Sequence, residues 1–297
     1  MFKLFILIIS LIGKIFYESK LKMNFNVIIP VYNGATKIER TIYSIISQTS
    51  IIMGKDTFQC IVVDGASTDN TLERVQMIND SRISIISEQD NGMYDALAKG
   101  FKASGSGVTC YLGAGEEFDH YAFDVISQIF EEYADISWLK GRDVTRNSSL
   151  NIINSRLPRP YYRNLIDCGM YGTRLSVIQQ ESTFWRSELT QQFDLDYLKD
   201  LKLAGDFYLW KCLAKKNELF VVNTHLGSFT SEPGQLSSQI PGAYKKELRL
   251  IRRNPKIIER FIAIILRQIE KRFYTNLNSK RTLNFSYESQ IWVLNDN

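Results

Sequence analysis

The sequence predicts an α/β protein on a mostly parallel central sheet flanked by helices. Short apolar runs rich in Val and Ile recur at 26–30, 58–63, 83–86 and 108–112, and segments of helical period separate them. Continuous apolar runs of this length suit strands buried on both faces. Strands alternating with helices pair in parallel through right-handed crossovers. Three of the runs also end in small or acidic clusters: Pro30-Val31-Tyr32-Asn33, Asp64-Gly65-Ala66-Ser67 and Gly113-Ala114-Gly115-Glu116-Glu117. An open α/β sheet places its ligand crevice at that carboxyl edge, and spaced carboxylates there suit a divalent cation and a phosphorylated ligand.

The elements follow in order. Pro30 ends the first ladder, and Asn33-Gly34 turns the chain into a helix from Thr36 with Ile38, Ile42, Ile45 and Ile46 on one face. Ser67 and Asp69 are expected to cap a helix over 71–78. Helices are expected at 93–103, 123–133 and 207–214, and strands at 136–141 and 220–224. The polar stretch 147–159 reads as a surface loop, 231–241 as a Gly/Pro/Ser-rich loop, and everything beyond as helices only. One of these, over 255–274, interleaves Ile257, Phe261, Ile264, Ile265 and Ile269 with Lys256, Arg260, Arg267 and Lys271. That pattern suits an anionic bilayer surface or a helix packed on the catalytic domain.

The chain has 297 residues and a net charge of +4, too small by itself to imply nucleic acid. Its four cysteines are far apart, which argues for reduced thiols and against a zinc site. The apolar run at 4–13 is too short to span a bilayer. It reads as a short membrane-contacting helix or as sequence upstream of a true start at Met23. Neither GxGxxG nor GxxxxGK[ST] is present, and neither His120 nor His225 sits beside a nucleophile motif.

Single residues carry two readings each. Asp64 suits a nucleotide base or ribose, or a turn bonding its own loop. Glu116 and Glu117 suit a hard cation, or a solvated acidic loop. Asp206 suits a general base or an N-cap. Arg186 suits a phosphate or a surface ion pair.

Taken in order, the motifs resemble the family 2 glycosyltransferases, inverting enzymes of the GT-A fold. Val27 to Gly34, Ile61 to Asp69, Ser87 to Ala96, Leu112 to Phe118, Glu181 to Trp185 and Leu203 to Phe207 carry the resemblance, over roughly 24–237. It implies a catalytic domain at 24–237, between an apolar extension at 1–23 and a basic helical region at 238–297. It implies that Pro30, Val31, Tyr32, Asn33, Asp64 and Gly65 line the nucleotide pocket, and that Asp95 lies near the nucleotide sugar. Glu116 or Glu117 then stands at the last acidic position of the metal motif, for Mn²⁺ or Mg²⁺. Asp206 becomes the catalytic base, and Gln180, Glu181 and Trp185 shape the acceptor side. The implied partners are a nucleotide-diphosphate sugar and a glycan or lipid-linked acceptor, with no nucleic acid. The implied place is the cytoplasm, peripheral to the inner membrane. The rival readings are an inactive sugar-binding protein of the same fold and a nucleotidyltransferase.

Overall fold

The computed structural model describes residues 22–231, 242–272 and 280–295, the side chains of 271 and 272 excepted. The apolar stretch before Lys22, most of the Gly/Pro/Ser-rich segment and Phe273 lie outside them.

The first half runs β1 (Asn24–Val31), α1 (Ile38–Ile46), α2 (Thr49–Ile52), β2 (Thr57–Asp64), α3 (Thr71–Ile78), β3 (Ile83–Ser87), α4 (Met93–Ala103), β4 (Val108–Tyr111), β5 (Glu117–Phe118) and α5 (Ala122–Glu132). Then come β6 (Trp138–Lys140), β7 (Asp143–Arg146), β8 (Ile152–Arg156), α6 (Arg163–Asp167), β9 (Thr183–Arg186), α7 (Leu195–Leu198), α8 (Gly205–Leu213), β10 (Phe220–Val222) and β11 (Gly227–Thr230). The described chain closes with α9 (Ala243–Ile251), α10 (Ile257–Arg272), β12 (Thr282–Ser286) and β13 (Ile291–Leu294).

Among the described residues the main sheet has nine strands, ordered β13-β12-β10-β6-β9-β4-β1-β2-β3. The pairs β1–β2, β1–β4, β2–β3, β6–β10 and β10–β12 are parallel. The period of two splits the strand residues between two cores: Ile28, Ile61, Val63 and Tyr111 face one side, and Val27, Ile29, Cys60, Val62 and Cys110 the other. Helix α4 lies very close on β1, where a Cβ at Gly100 would come within 2.3 Å of Ile28. All four cysteines are buried free thiols.

Three features depart from the sequence reading. The stretch expected to be a loop at 147–159 contains β8, which pairs with β7 in a second sheet ordered β5-β11-β7-β8. Most of β8 is exposed, so it has no alternating apolar signal to read. Strand β9 inserts antiparallel between β4 and β6. The C-terminal region has its two expected helices, but β12 and β13 then return to the main sheet as a hairpin. That hairpin is held by Phe285 against Trp292, with ring centroids 5.4 Å apart. Arg186 makes no ion pair among the described residues: it donates to the carbonyls of Phe130 (2.6 Å) and Ile136 (2.9 Å), closing the end of α5.

Candidate active site

At the carboxyl edge, Val31 pairs with Asp64 across β1 and β2. The loops after these strands are stitched together. Asn33, at φ 51°, donates its N–H to Ser67 Oγ (2.8 Å), and its side-chain oxygen accepts the Thr68 N–H (2.8 Å). Asp69 accepts the N–H groups of Ala35 (3.1 Å) and Thr71 (3.0 Å), while Asn70 is the N-cap of α3. The expected caps are therefore loop ties. Asp64 is fully buried and accepts from the Ser67 N–H (3.1 Å) and Ser87 Oγ (2.7 Å). Gly65 leaves room for Asp90, whose Oδ2 would lie 2.6 Å from any Cβ there. Asp95 is nearly buried and accepts the Asn91 N–H (2.9 Å), fixing the turn into α4. Pro30 and Val31 are buried, and Tyr32 stands 63% exposed at the rim.

Beyond β4, Glu116 folds back on its own loop. Its Oε2 accepts the Gly113 N–H (2.7 Å) and the Gln180 amide (3.2 Å). Glu181 is its buried neighbour. Desolvation raises the pKa of both carboxyls, and the Glu116 charge raises Glu181 further. Lys140, wholly buried, opposes this from below while bonding Asp143 (2.6 Å) and Ser182 Oγ (3.0 Å).

Asp206 lies in the first turn of α8, whose N-cap is Ala204. It is therefore not a cap. Burial lifts its pKa from 3.8 to about 7, against the opposing hydrogen bonds from the Phe207 N–H and the Tyr244 hydroxyl (3.3 Å). Glu247 on α9 grips the preceding loop, accepting the N–H groups of Leu203 (2.7 Å) and Ala204 (2.6 Å). Tyr94 donates to the Leu203 carbonyl (3.0 Å) and packs on Gly205, where a Cβ would fall 2.3 Å from its ring. Tyr111, fully buried at the end of β4, joins the acids: burial, Tyr94, and the charges of Asp206, Glu116 and Glu181 all raise its pKa. Its hydroxyl meets no partner among the described residues. Asp206, Glu116 and Glu181 thus share one electrostatic cluster. Asp64 sits on the same sheet edge, inside its own loop network. Sequence reading missed Tyr111, Tyr244 and Glu247, and Tyr94 had only its place beside Asp95 as a signal.

The model of the family described as "Glycosyl transferase family 2" matches residues 26–180. The chain belongs to glycosyl transferase family 2. The PGL/p-HBAD biosynthesis glycosyltransferases of Mycobacterium tuberculosis and Mycobacterium bovis are 30% identical over 108 residues. That match covers 35% of this chain and 40% of theirs, so the chain spans well under two thirds of the relatives' length. Among solved structures, S. aureus TarS in complex with UDP-GlcNAc aligns with a TM-score of 0.62 at 16% identity, over 84% of this chain and 73% of that one. The Pyrobaculum calidifontis mannosyltransferase PcManGT, in complex with GDP-Man and Mn²⁺, aligns at 0.51 with 15% identity, over 72% and 59%. At such identities the likeness is one of fold, the GT-A fold.

Within that family frame, two expected site residues need correction. Trp185 is fully enclosed, its indole N–H bonded to Thr190 (3.2 Å) among Tyr111, Phe193 and Trp210, so it is core and no acceptor platform. Glu117, the first residue of β5, is held by Arg40 (3.4 Å) and Arg146 (3.9 Å). Of the two, Glu116 is the one bonded to its own loop and to Gln180. Among the described residues no three acids, histidines or cysteines gather to hold a metal unaided. Mg²⁺ and Mn²⁺ need no such cage, because substrate diphosphate supplies the remaining oxygens. Glu116 fits that role, since Gly113 and Gln180 orient it and no donor reaches Glu181 Oε2 beside it.

Proposed function

We propose that the chain is an inverting glycosyltransferase that moves a sugar from a nucleotide-diphosphate sugar to a hydroxyl of a polysaccharide or lipid-linked glycan. Residues 24–237 form its catalytic unit. The observation that carries the reading is Asp206, half-buried beside the Tyr244 hydroxyl with its pKa pushed up to about 7, in one cluster with Glu116 and Glu181. A carboxylate so poised is a general base matched to neutral pH. In the donor site, the tied loops at Asn33 and Asp64 receive the nucleoside, and Glu116 would hold a divalent cation. When bound, that cation offsets the charge of the leaving diphosphate.

Asp206 takes the proton of one acceptor hydroxyl. Its oxygen bonds to the anomeric carbon as the bond to the diphosphate breaks, and that electron pair leaves with the nucleotide. One displacement inverts the centre. Tyr94 and Glu247 fix the loop that carries the base, and the Tyr244 hydroxyl stabilises its ionised form. No described helix is long and apolar enough to cross a membrane. Helix α10 nonetheless leaves Ile257, Ile258 and Phe261 at least 60% exposed beside Lys256 and Arg260, which supports peripheral contact with an anionic inner-membrane surface.

The function is tested by melting the protein with a panel of nucleotide sugars, with and without Mn²⁺, then assaying hydrolysis of the donor that shifts it. Turnover that needs Asp206 is expected; binding without turnover in every case defeats the reading. Tyr244→Phe is expected to move the ascending limb of the pH–rate profile upward, because the carboxylate loses the hydrogen bond that lowers its pKa. An unmoved limb removes Tyr244 as a positioning residue.

A further inference from the structure

Helix α10 does more than present an apolar face. With α9, the end of β8 and the loop at 172–176, it encloses a cavity of about 490 Å³. Arg156, Arg174, Lys245 and Arg267 line it against a single carboxylate, Glu270. Arg156 is already bonded to Asp143 (2.7 Å). Arg174, Lys245 and Arg267 are exposed, and none makes an ion pair among the described residues. Glu270 offsets part of the Arg267 charge, and Arg174 and Lys245 add positive charge to the same concavity; like charges repel, so an anion there would relieve them.

The cavity adjoins the base. Lys245 follows Tyr244, whose hydroxyl reaches Asp206, and Gly172 on the cavity wall sits so close that a Cβ would lie 3.1 Å from the Tyr244 ring. The acceptor must approach Asp206, and the donor loops at Asn33 and Asp64 belong to strands β1 and β2, away from this wall. We propose that this cavity binds a phosphate or diphosphate group of the acceptor, placing the hydroxyl that is attacked beside Asp206. Arginine forks and a lysine match phosphate oxygens in number and geometry. The volume exceeds one phosphate, leaving space for the adjoining sugar. Assignment to the acceptor rests on the transferase reading; the anion site itself does not.

The direct test titrates the full-length protein with inorganic pyrophosphate at low salt by calorimetry. Arg174→Gln, Lys245→Gln and Arg267→Gln combined are expected to weaken binding at least tenfold. Lys102→Gln, Lys215→Gln and Lys216→Gln combined remove the same charge from exposed sites elsewhere and are expected to change it less than twofold. Equal losses in the two triple variants, or none in the first, overturn the proposal. Phosphatidylcholine vesicles with and without phosphatidic acid separate the sources. Binding that needs phosphatidic acid and the three cavity cations identifies a lipid-borne phosphate, whereas pyrophosphate binding without vesicle binding identifies a phosphorylated glycan. Nucleotide affinity is measured in parallel. Cavity-dependent pyrophosphate binding in a chain that binds no nucleotide sustains the anion site and defeats the transferase reading instead.

Discussion

Asp206→Asn is expected to lower the rate of sugar transfer about 10²–10⁴-fold while nucleotide-sugar affinity stays within a fewfold of the parent. Asparagine keeps the shape and can still accept from the Phe207 N–H and meet the Tyr244 hydroxyl, so geometry survives and only the proton acceptor is lost. The parent rate is expected to rise with pH through about 7, since the base must be ionised and its pKa lies there. The same shift has a stability consequence of definite sign. The folded pKa of Asp206 is raised above the unfolded value, so its favourable contribution is complete below about pH 4 and is lost as pH climbs toward and past 7. At roughly 1.4 kcal/mol per unit, ionising it in the fold costs on the order of 4 kcal/mol at pH 8. Asp206→Asn is therefore expected to melt higher than the parent at pH 8 and close to it at pH 4. A variant with near-normal transfer removes Asp206 as the base; one that melts lower at pH 8 refutes its burial as a charge.

How far the sequence carried these conclusions depends on where each signal lies. Strands β1, β2 and β4 and helix α4 were legible because burial on both faces leaves unbroken apolar runs, and because Gly100 and Ala96 mark a helix packed close to a sheet. Strand β8 was not, since an exposed strand needs no apolar alternation. Strands β12 and β13 lie after a basic helical stretch whose charge dominates a linear reading, although Phe285 and Trp292 were there to be weighed. Within the site, acids at strand ends were visible, but their partners were not. Tyr244 reaches the base from 38 residues away and Glu247 grips the loop before it from 43 and 44, and nothing in their local sequence marks them. Trp185 and Arg186 misled for the opposite reason: in a linear motif an aromatic and a cation beside an acid read as ligand groups, and only three dimensions reveal one as core and the other as a helix end.

The Glu116–Glu181 pair gives the second large effect. Glu116→Gln is expected to abolish stimulation of donor binding by Mn²⁺, while Glu117→Gln leaves it and removes only the ion pairs with Arg40 and Arg146. Glutamine keeps an oxygen for the Gly113 N–H, so the loop holds its shape. The pair also makes a sharper prediction than loss of affinity. Desolvation and mutual repulsion disfavour ionising both carboxyls at once, but a divalent cation arriving with the diphosphate would reverse that balance. Metal-dependent donor binding by the parent is thus expected to release up to about one proton, read by calorimetry in buffers of different ionisation enthalpy. Glu116→Gln is expected to release none. Proton release that survives in Glu116→Gln, or Mn²⁺ stimulation that is lost only in Glu117→Gln, moves the cation off Glu116. The physical point is that the Glu116 side chain reaches back to Gly113 and across to Gln180, so its carboxylate is preorganised by its own loop before any cation would arrive.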